Sequence, residues 1–266
     1  MPLSAVALAL GAAFLHAGWN VLLAGSRDTR ASTAGLLIWG VALLGAPAIV
    51  TGGVSSDAVP YIAASAVFEL CYFVLLARAY DSGEVSVVYP VARGSAPVVV
   101  LVFSALALKE GVPAGAVAGV LAISCGVLLL ARRARPAHDV WFGLAIGLTI
   151  AAYTLVDSEA VERADPIAYL ALVVAPCALV YPLVTKVRPD VGARTALTAA
   201  ATFGAFLMVL AAFRLAPVAP VAAVRESSVV IAAILAAVFL HEKVDRWRLA
   251  GAVAVAAGVA AIALSG

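Results

Sequence analysis

Apolar stretches of roughly 20 residues recur along the whole chain, and short segments between them carry most of the charged residues. A helix of that length crosses the ~30 Å of hydrocarbon in a bilayer. The pattern predicts an all-α polytopic membrane protein. We predict ten transmembrane helices, at residues 4–24, 33–51, 59–80, 85–108, 113–131, 140–158, 166–185, 192–214, 218–241 and 248–265.

The composition agrees with this interpretation. Hydrophobic residues make up 65% of the chain and charged residues 12%, whereas soluble domains carry about 25% charged residues. The chain has too little polar surface for a water-soluble globule. The formal net charge is +2 and no basic block occurs, so we expect a lipid bilayer around the protein and no nucleic-acid partner. Because "MPLS" has no basic residue before the first apolar run, we expect no cleavable signal peptide.

The second half of the chain repeats features of the first half at an offset of 132 residues. Two arginines lie deep within predicted spans, and they occupy matching positions when the two halves are aligned at this offset. The matched pairs are Arg93 with Arg225, Ser95 with Ser227, Leu108 with Leu240, Glu110 with Glu242, Val112 with Val244, Gly119 with Gly251, and Gly126 with Gly258. We therefore predict two five-helix repeats, at residues 1–132 and 139–266.

An odd number of helices in each repeat makes the two halves enter the membrane in opposite directions. Of the 17 basic residues, twelve lie in or beside the loops after odd-numbered spans, three in or beside the loops after even-numbered spans, and two deep within spans. The predicted architecture is thus an inverted repeat, which is common among secondary transporters. The positive-inside rule places both termini outside the cytoplasm.

Two matching segments also resemble a known family. They are "LALKEGVPAGAVAGVLAISCGVLLL" (106–130) and "VFLHEKVDRWRLAGAVAVAAGVAAIAL" (238–264), and in each a glutamate ends one helix before a glycine-marked helix follows. With "FLHAGWNVLLA" (14–24), they resemble the drug/metabolite transporter superfamily, specifically its EamA-type ten-helix members. The resemblance implies a central cavity lined by helices one, three, four, six, eight and nine, with helices five and ten at the periphery. It also implies cytoplasmic termini, opposite to the charge count.

Arg93 and Arg225 are the residues whose positions most need an explanation. Arg93 lies about eight residues into the fourth span, or ~12 Å deep. Placing its charge near the bilayer centre costs at least ~2.5 kcal/mol. One interpretation is a structural pin, such as an arginine bonded to the carbonyls of a broken helix. The other is a symmetric pair of cations that holds an anionic group, which suits the planar guanidinium.

Residues near the two arginines complete the candidate substrate site. Tyr89, Ser95 and Ser227 supply uncharged hydrogen-bonding groups. Pro90 removes a backbone donor one turn before Arg93, so we expect it to break or kink that helix. Glu226 is also a candidate, although on an ideal helix it points about 100° away from Arg225 and need not be its partner.

Ionisable and aromatic residues in other spans extend the candidate site. Glu69, in the third span, is a proton carrier or a fixed ion-pair partner of Arg93 or Arg225. His16, in the first span, carries protons or is hydrogen-bonded across helices. The remaining candidates for the cavity wall are Trp19, Asn20, Tyr72 and Tyr153, with Asp157 as a weaker one.

These features favour a secondary transporter that moves a small organic solute, amino-acid-like or anionic, across a bacterial plasma membrane by alternating access. The alternative is a membrane-embedded enzyme or flippase acting on a lipid-linked phosphate. We expect no enzymatic activity, no cofactor and no metal, and a monomer or weak homodimer. We interpret two sets of residues as packing groups: the cysteines Cys71, Cys125 and Cys177, and the glycine-rich segments 111–115, 115–119 and 143–147.

Overall fold

The structure is a computed structural model that describes residues 1–82, 85–109, 111–130, 137–239 and 246–265. In this part of the chain, α-helices form nearly all of the regular structure. They are α1 (Leu3–Ala24), α2 (Thr29–Thr51), α3 (Val59–Ser82), α4 (Val85–Phe103), α5 (Ala114–Leu130), α6 (Ala137–Ala160), α7 (Pro166–Thr185), α8 (Ala193–Phe213), α9 (Val218–Arg225), α10 (Ser228–Phe239) and α11 (Arg246–Leu264). A short 3-10 turn (Ser56–Ala58) precedes α3, and a π-helical turn (Ser104–Leu108) follows α4.

Local sequence signals explain where several helices begin and end. Asp28 caps α2 by accepting a 3.0 Å hydrogen bond from the amide of Ala31. Asp165 caps α7 in the same way, and Pro166 occupies its first turn. Proline lacks a backbone N–H, but the N–H groups of the first turn have no partner within the helix, so no helical hydrogen bond is lost. Lys186 ends α7 in the left-handed conformation, with φ of 55°.

The helices agree with the predicted spans, apart from two differences. The predicted span 218–241 is divided into α9 and α10 at Glu226 and Ser227. In contrast, Pro90 does not break α4, which continues through it to Phe103. Seven described helical segments are long and apolar enough to cross a membrane, while α5 and α11 contain shorter apolar segments. Glu110, Glu242, Leu240, Val244 and most of segment 131–139 lie outside the described residues.

The connections between helices gather at two ends of the bundle. At one end, Arg194 in α8 donates a 2.8 Å hydrogen bond to the carbonyl of Leu22, so the α1–α2 and α7–α8 connections are neighbours. At the other end, the amide of Asp165 donates to the carbonyl of Gly53. Arg214 also donates two 2.8 Å hydrogen bonds to carbonyls of the α6–α7 connection. Among the described residues, the connections after the first and seventh spans thus share one end, and those after the second, sixth and eighth spans share the other.

Helix pairs in the bundle recur in a matched way. Helix α1 packs on α8, and α3 packs on α6. Helix α4 packs on α6, and α1 packs on α9 and α10. Helix α2 packs on α7, and α5 packs on α11. Most contacts made by a helix of the first half on the second therefore have a counterpart with the two halves exchanged, and the packing of α5 on α9 is an exception among the described helices.

The pair α5 and α11 depends on four glycines. A Cβ atom added to Gly119 would lie 2.7 Å from the carbonyl oxygen of Gly258, and one added to Gly258 would lie 2.7 Å from that of Gly119. Likewise, a Cβ atom on Gly126 would lie 2.7 Å from the carbonyl oxygen of Gly251. Because residue numbers rise along α5 as they fall along α11, the two helices are antiparallel. Glycine allows their backbones to touch.

The other glycine-rich segments make similar contacts, with one exception. A Cβ atom on Gly143 would lie 2.9 Å from the carbonyl oxygen of Val88, and one on Gly147 would lie 3.0 Å from that of Ala92. Both glycines thus hold α6 against α4. Gly115 faces Ser265, whereas nothing lies near Gly111. The predicted packing role is confirmed for Gly115, Gly119, Gly143 and Gly147.

We expect Gly119→Ala to lower the thermal stability of the purified protein. The added methyl group collides with the Gly258 carbonyl, and overpacking costs about 1–3 kcal/mol, more than the roughly 1 kcal/mol that alanine gains in helix propensity. Gly45→Ala is the matched control, because nothing lies within 4 Å of that position in α2. Thermal unfolding in detergent measures both, and equal melting temperatures for the two variants would refute the close contact.

Candidate functional site

Arg93 and Arg225 converge on one carboxylate, that of Glu226. Arg93, in α4, and Arg225, at the end of α9, are 1% and 5% exposed, and Glu226 is fully buried. Arg93 Nη1 donates to both carboxylate oxygens of Glu226 at 3.2 Å. Arg225 donates to Glu226 Oε1 from Nη2 at 3.3 Å and from Nε at 3.4 Å. Two cations that lie 132 residues apart in the sequence therefore share a single anion.

Glu226 directly follows Arg225 in the sequence and is nevertheless its ion-pair partner. The amide of Glu226 bonds to the carbonyl of Ala223, and the amide of Ser227 bonds to that of Val224, each three residues back instead of four. This tightened turn separates α9 from α10. The long side chains of Arg225 and Glu226 meet beside it.

His16 connects α1 to the two arginines. Its Nε2 contacts Nη2 of Arg93, and its Nδ1 accepts a 3.1 Å hydrogen bond from Nε1 of Trp19. The imidazole is 5% exposed and the indole 2%. We refer to Arg93, Arg225, Glu226 and His16 as the arginine cluster. The predicted hydrogen bonding of His16 across helices is present in the structure.

The arginine cluster has more hydrogen-bond donors than acceptors. A neutral imidazole carries one N–H, so it can accept at only one of its two nitrogens. His16 nevertheless faces an N–H of Trp19 and an N–H of Arg93. In addition, Arg93 Nε is buried without a hydrogen-bond partner. One carboxylate against two guanidinium groups leaves the cluster with a net charge of +1, a combination that suits an additional anionic acceptor.

Aromatic side chains form a wall around the arginine cluster. The guanidinium of Arg93 lies 5.2 Å from the ring centroid of Tyr89, within range of a cation–π contact. The rings of Tyr72 and Tyr153 meet edge to face at 5.9 Å, and Phe206 of α8 lies 6.3 Å from Tyr153. The sequence did not single out Phe206, because an apolar aromatic in an apolar helix carries no distinguishing signal.

A small cavity adjoins the arginine cluster. Its volume is about 10 Å³, which is room for roughly one water molecule. It is lined by His16, Tyr153, Ala205, Phe206, Val209 and Arg225. Two larger hollows, of about 300 and 490 Å³, have apolar walls and open at the outer surface of the bundle. The conformation is therefore closed at the cluster, and a solute needs the helices to separate before it reaches the arginines.

A second buried polar group lies between α3, α6 and α7. Asp157 Oδ1 accepts two 2.6 Å hydrogen bonds, one from Ser65 Oγ and one from the hydroxyl of Tyr169. Glu69, on α3 and 2% exposed, interacts electrostatically with Asp157 and with Arg225. Its Oε1 has no hydrogen-bond partner. Sequence reasoning missed Ser65 and Tyr169, because hydroxyl groups are common in apolar helices and only the three-helix contact distinguishes these two.

The ion-pair alternative for Glu69 does not hold in this conformation. Among the described residues, the carboxylate within 4.0 Å of Arg93 and Arg225 is that of Glu226. Glu69 is therefore a buried carboxyl group next to the arginine cluster, and the arginines do not fix it in place.

Three other candidates lie apart from the charged groups or point elsewhere. Ser95 donates to the carbonyl of Ala92 and lies against Gly147 at the α4–α6 contact. Asn20 donates to the carbonyl of His16 on its own helix. Ser227, in the tightened turn after Glu226, is buried and its hydroxyl has no hydrogen-bond partner.

Comparison with known proteins supplies a family and a fold. Residues 139–264 match the EamA-like transporter family. No curated protein sequence matches the chain. A solved crystal structure of another protein matches with a TM-score of 0.79 at 17% sequence identity, and the match covers 99% of this chain and 98% of that chain. At this identity, the likeness shows the fold alone.

Proposed function

We propose that the chain is a multi-pass membrane transporter of the drug/metabolite transporter type, because residues 139–264 match the EamA-like transporter family. In this proposal it carries a small anionic or amino-acid-like solute by alternating access. The membrane is a bacterial plasma membrane in this proposal. The family match does not favour the alternative of an enzyme or flippase for a lipid-linked phosphate. Members of this family are transporters, which agrees with the expectation that the chain is not an enzyme.

We also propose that the chain crosses the membrane ten times as two inverted five-helix repeats. The division of α9 from α10 then falls within one span, the ninth. The matched helix contacts support the repeat, since exchanging the two halves reproduces most of the pairs. The antiparallel glycine contact supports the inversion, because α5 and α11 occupy equivalent places in the two halves. In that contact Gly119 meets Gly258 and Gly126 meets Gly251, the reciprocal relation that a two-fold axis between equivalent helices produces.

The observation that carries the proposed function is the shared carboxylate. Arg93 and Arg225 stand in corresponding positions of the two repeats and meet at the centre of the bundle, where α1, α4 and α9 contribute to one cluster. Guanidinium groups bind carboxylates with two parallel hydrogen bonds, and burial strengthens such contacts. A substrate carboxylate in the same place therefore has donors aimed at it from both halves. Alternating access about that place exposes it to each side of the membrane in turn.

A thermal-shift screen of the purified protein against small carboxylates, amino acids and neutral analogues tests the proposal. A ligand that binds the folded state raises the apparent melting temperature by mass action. We expect ligands that carry a carboxylate to raise it and their amides to have no effect. The best ligand should then be taken up by liposomes that contain the protein and not by empty liposomes. Absence of uptake would contradict the transport function.

The charge count predicts that both termini lie outside the cytoplasm. In single-cysteine variants, a cysteine at Ser26 or Arg188 should react with a membrane-impermeant maleimide only after the cells are opened. A cysteine at Gly53 or Arg163 should react in intact cells. These positions lie at opposite ends of the bundle, since the connections of odd and even spans are separated. The reverse labelling pattern would place the termini in the cytoplasm and leave the inverted repeat unaffected.

A further inference from the structure

We propose that Glu226 is a built-in anion that holds the arginine pair in the closed conformation, and that the carboxylate of the transported solute displaces it. The proposal rests on the transport function above and names the group that the solute replaces. In this proposal Glu226 competes with the solute for the two arginines and does not form a permanent structural ion pair with them.

Glu226 makes the contacts that a ligand carboxylate would make. Both of its oxygens accept from Arg93 at 3.2 Å, and Oε1 also accepts from Arg225 at 3.3 and 3.4 Å. A carboxylate is an acceptor with about four lone-pair sites, and these contacts use nearly all of them. A solute carboxylate in the same place would recover the same hydrogen bonds, so the exchange of one anion for the other need not leave either arginine unpaired.

The arginine cluster does not have room for two carboxylates. The adjoining cavity of about 10 Å³ accommodates about one water molecule. In the closed conformation a solute carboxylate can therefore contact both arginines only if the Glu226 side chain leaves. Competition follows from this lack of space, since the two anions need the same donors and the same volume.

The backbone beside Glu226 provides a place for this movement. Glu226 begins the tightened turn between α9 and α10, where hydrogen bonds reach back three residues. The hydroxyls of Ser227 and Ser228 are buried there without partners. A change in this turn changes how α10 continues from α9. Binding at the arginines is thereby linked to the conformation of the α9–α10 segment, which carries Arg225 and Glu226.

This arrangement meets the energetic requirement for coupling. A ligand shifts a conformational equilibrium only by as much as its affinity differs between the states. In the closed state the internal carboxylate pairs with both arginines, and in the open state the solute does. The empty protein can then close without burying two unpaired guanidinium groups, which would cost several kcal/mol.

Removal of the internal carboxylate should create a site for a free one. We choose acetate as the probe, with acetamide as its neutral analogue and sodium chloride at equal ionic strength. Glu226→Ala should have a lower melting temperature than wild type in chloride. Sodium acetate should raise it saturably, whereas acetamide should not. Glu226→Gln keeps the volume and loses the charge, so it should also bind acetate at least about tenfold more tightly than wild type, a difference of about 1.4 kcal/mol.

Two controls separate the arginine cluster from general salt effects. Glu159→Ala breaks another glutamate–arginine pair, with Arg163 at 3.1 Å, but there both side chains are about 30% exposed. This variant should show no acetate response beyond wild type. Arg93→Ala/Glu226→Ala should lose the response of Glu226→Ala, because one of the two cations is absent.

The proposal is overturned if Glu226→Ala and Glu226→Gln respond to acetate as wild type does, or if the double variant keeps the response. It is also overturned if Glu226→Ala cannot be recovered folded in acetate and Glu226→Gln binds acetate no more tightly than wild type. Uptake by liposomes bears separately on the transport function. A saturable acetate response without any solute uptake would support the anion exchange and reject transport.

Discussion

Arg93→Lys is expected to weaken solute binding by at least about tenfold while the purified protein stays folded. Lysine keeps the positive charge, but it has one nitrogen at its end where arginine has a planar fork of three. A single ammonium group cannot contact both the carboxylate of Glu226 and the imidazole of His16 as Nη1 and Nη2 of Arg93 do. Binding affinity and melting temperature should be measured on the same preparation, with the ligand from the thermal-shift screen.

Arg163→Lys is a matched control for this substitution. Arg163 pairs with Glu159 at 3.1 Å and lies 4.8 Å from the ring centroid of Tyr61, much as Arg93 pairs with Glu226 beside Tyr89. It lies near the end of the bundle and is about one third exposed. Its replacement should leave solute affinity unchanged. Equal solute affinity in wild type and Arg93→Lys would show that the guanidinium of Arg93 does not bind the solute.

Alanine variants separate an anion site from a structural pin. Breaking a buried ion pair by removing one partner typically costs about 3–5 kcal/mol, so Arg93→Ala and Arg225→Ala should both lower the melting temperature. If the arginines hold one solute, both variants should also lose affinity and their effects should not be additive. A pin predicts the opposite pattern, in which the folded fraction binds with wild-type affinity.

Glu69→Gln is expected to abolish uptake driven by a proton gradient and to preserve solute exchange. Glu69 is a buried carboxyl group whose Oε1 has no hydrogen-bond partner, so it can take up a proton there without breaking an existing bond. It also acts electrostatically on Arg225, which links its charge to the arginine cluster. Exchange does not need to cycle the proton, whereas net uptake does. Both activities can be measured in liposomes with labelled solute.

Asp157→Asn distinguishes the two buried carboxyl groups. Asp157 already accepts hydrogen bonds from Ser65 and Tyr169 at 2.6 Å, and an asparagine oxygen can accept the same bonds. This variant should therefore retain gradient-driven uptake. Loss of that uptake in Asp157→Asn, with normal uptake in Glu69→Gln, would show that the proton is carried by Asp157 instead. Equal loss of uptake and exchange in Glu69→Gln would indicate a structural role for that residue.

The sequence by itself determined that the chain is helical and apolar and where most of the described helices begin and end. In a bilayer every backbone polar group must be satisfied within its own helix, so the length of an apolar run predicts a helix almost without reference to the rest of the chain. The resemblance to the EamA family could also be recognised from the sequence, because the glycines that carry it mark close helix contacts in each half. The packing of Gly119 on Gly258 shows that contact.

Only the tertiary structure decided which residues meet. The sequence left open whether Glu226 is a partner of Arg225, and in the structure it contacts both arginines. Pro90 was expected to break or kink α4, and the helix continues through it without a break. Asp157 found its partners on α3 and α7. Contacts of this kind depend on how each helix is rotated and how far it slides along its neighbours, and both are set by side-chain packing over the whole bundle. A hydrophobic pattern shows that a helix exists but does not specify those two variables.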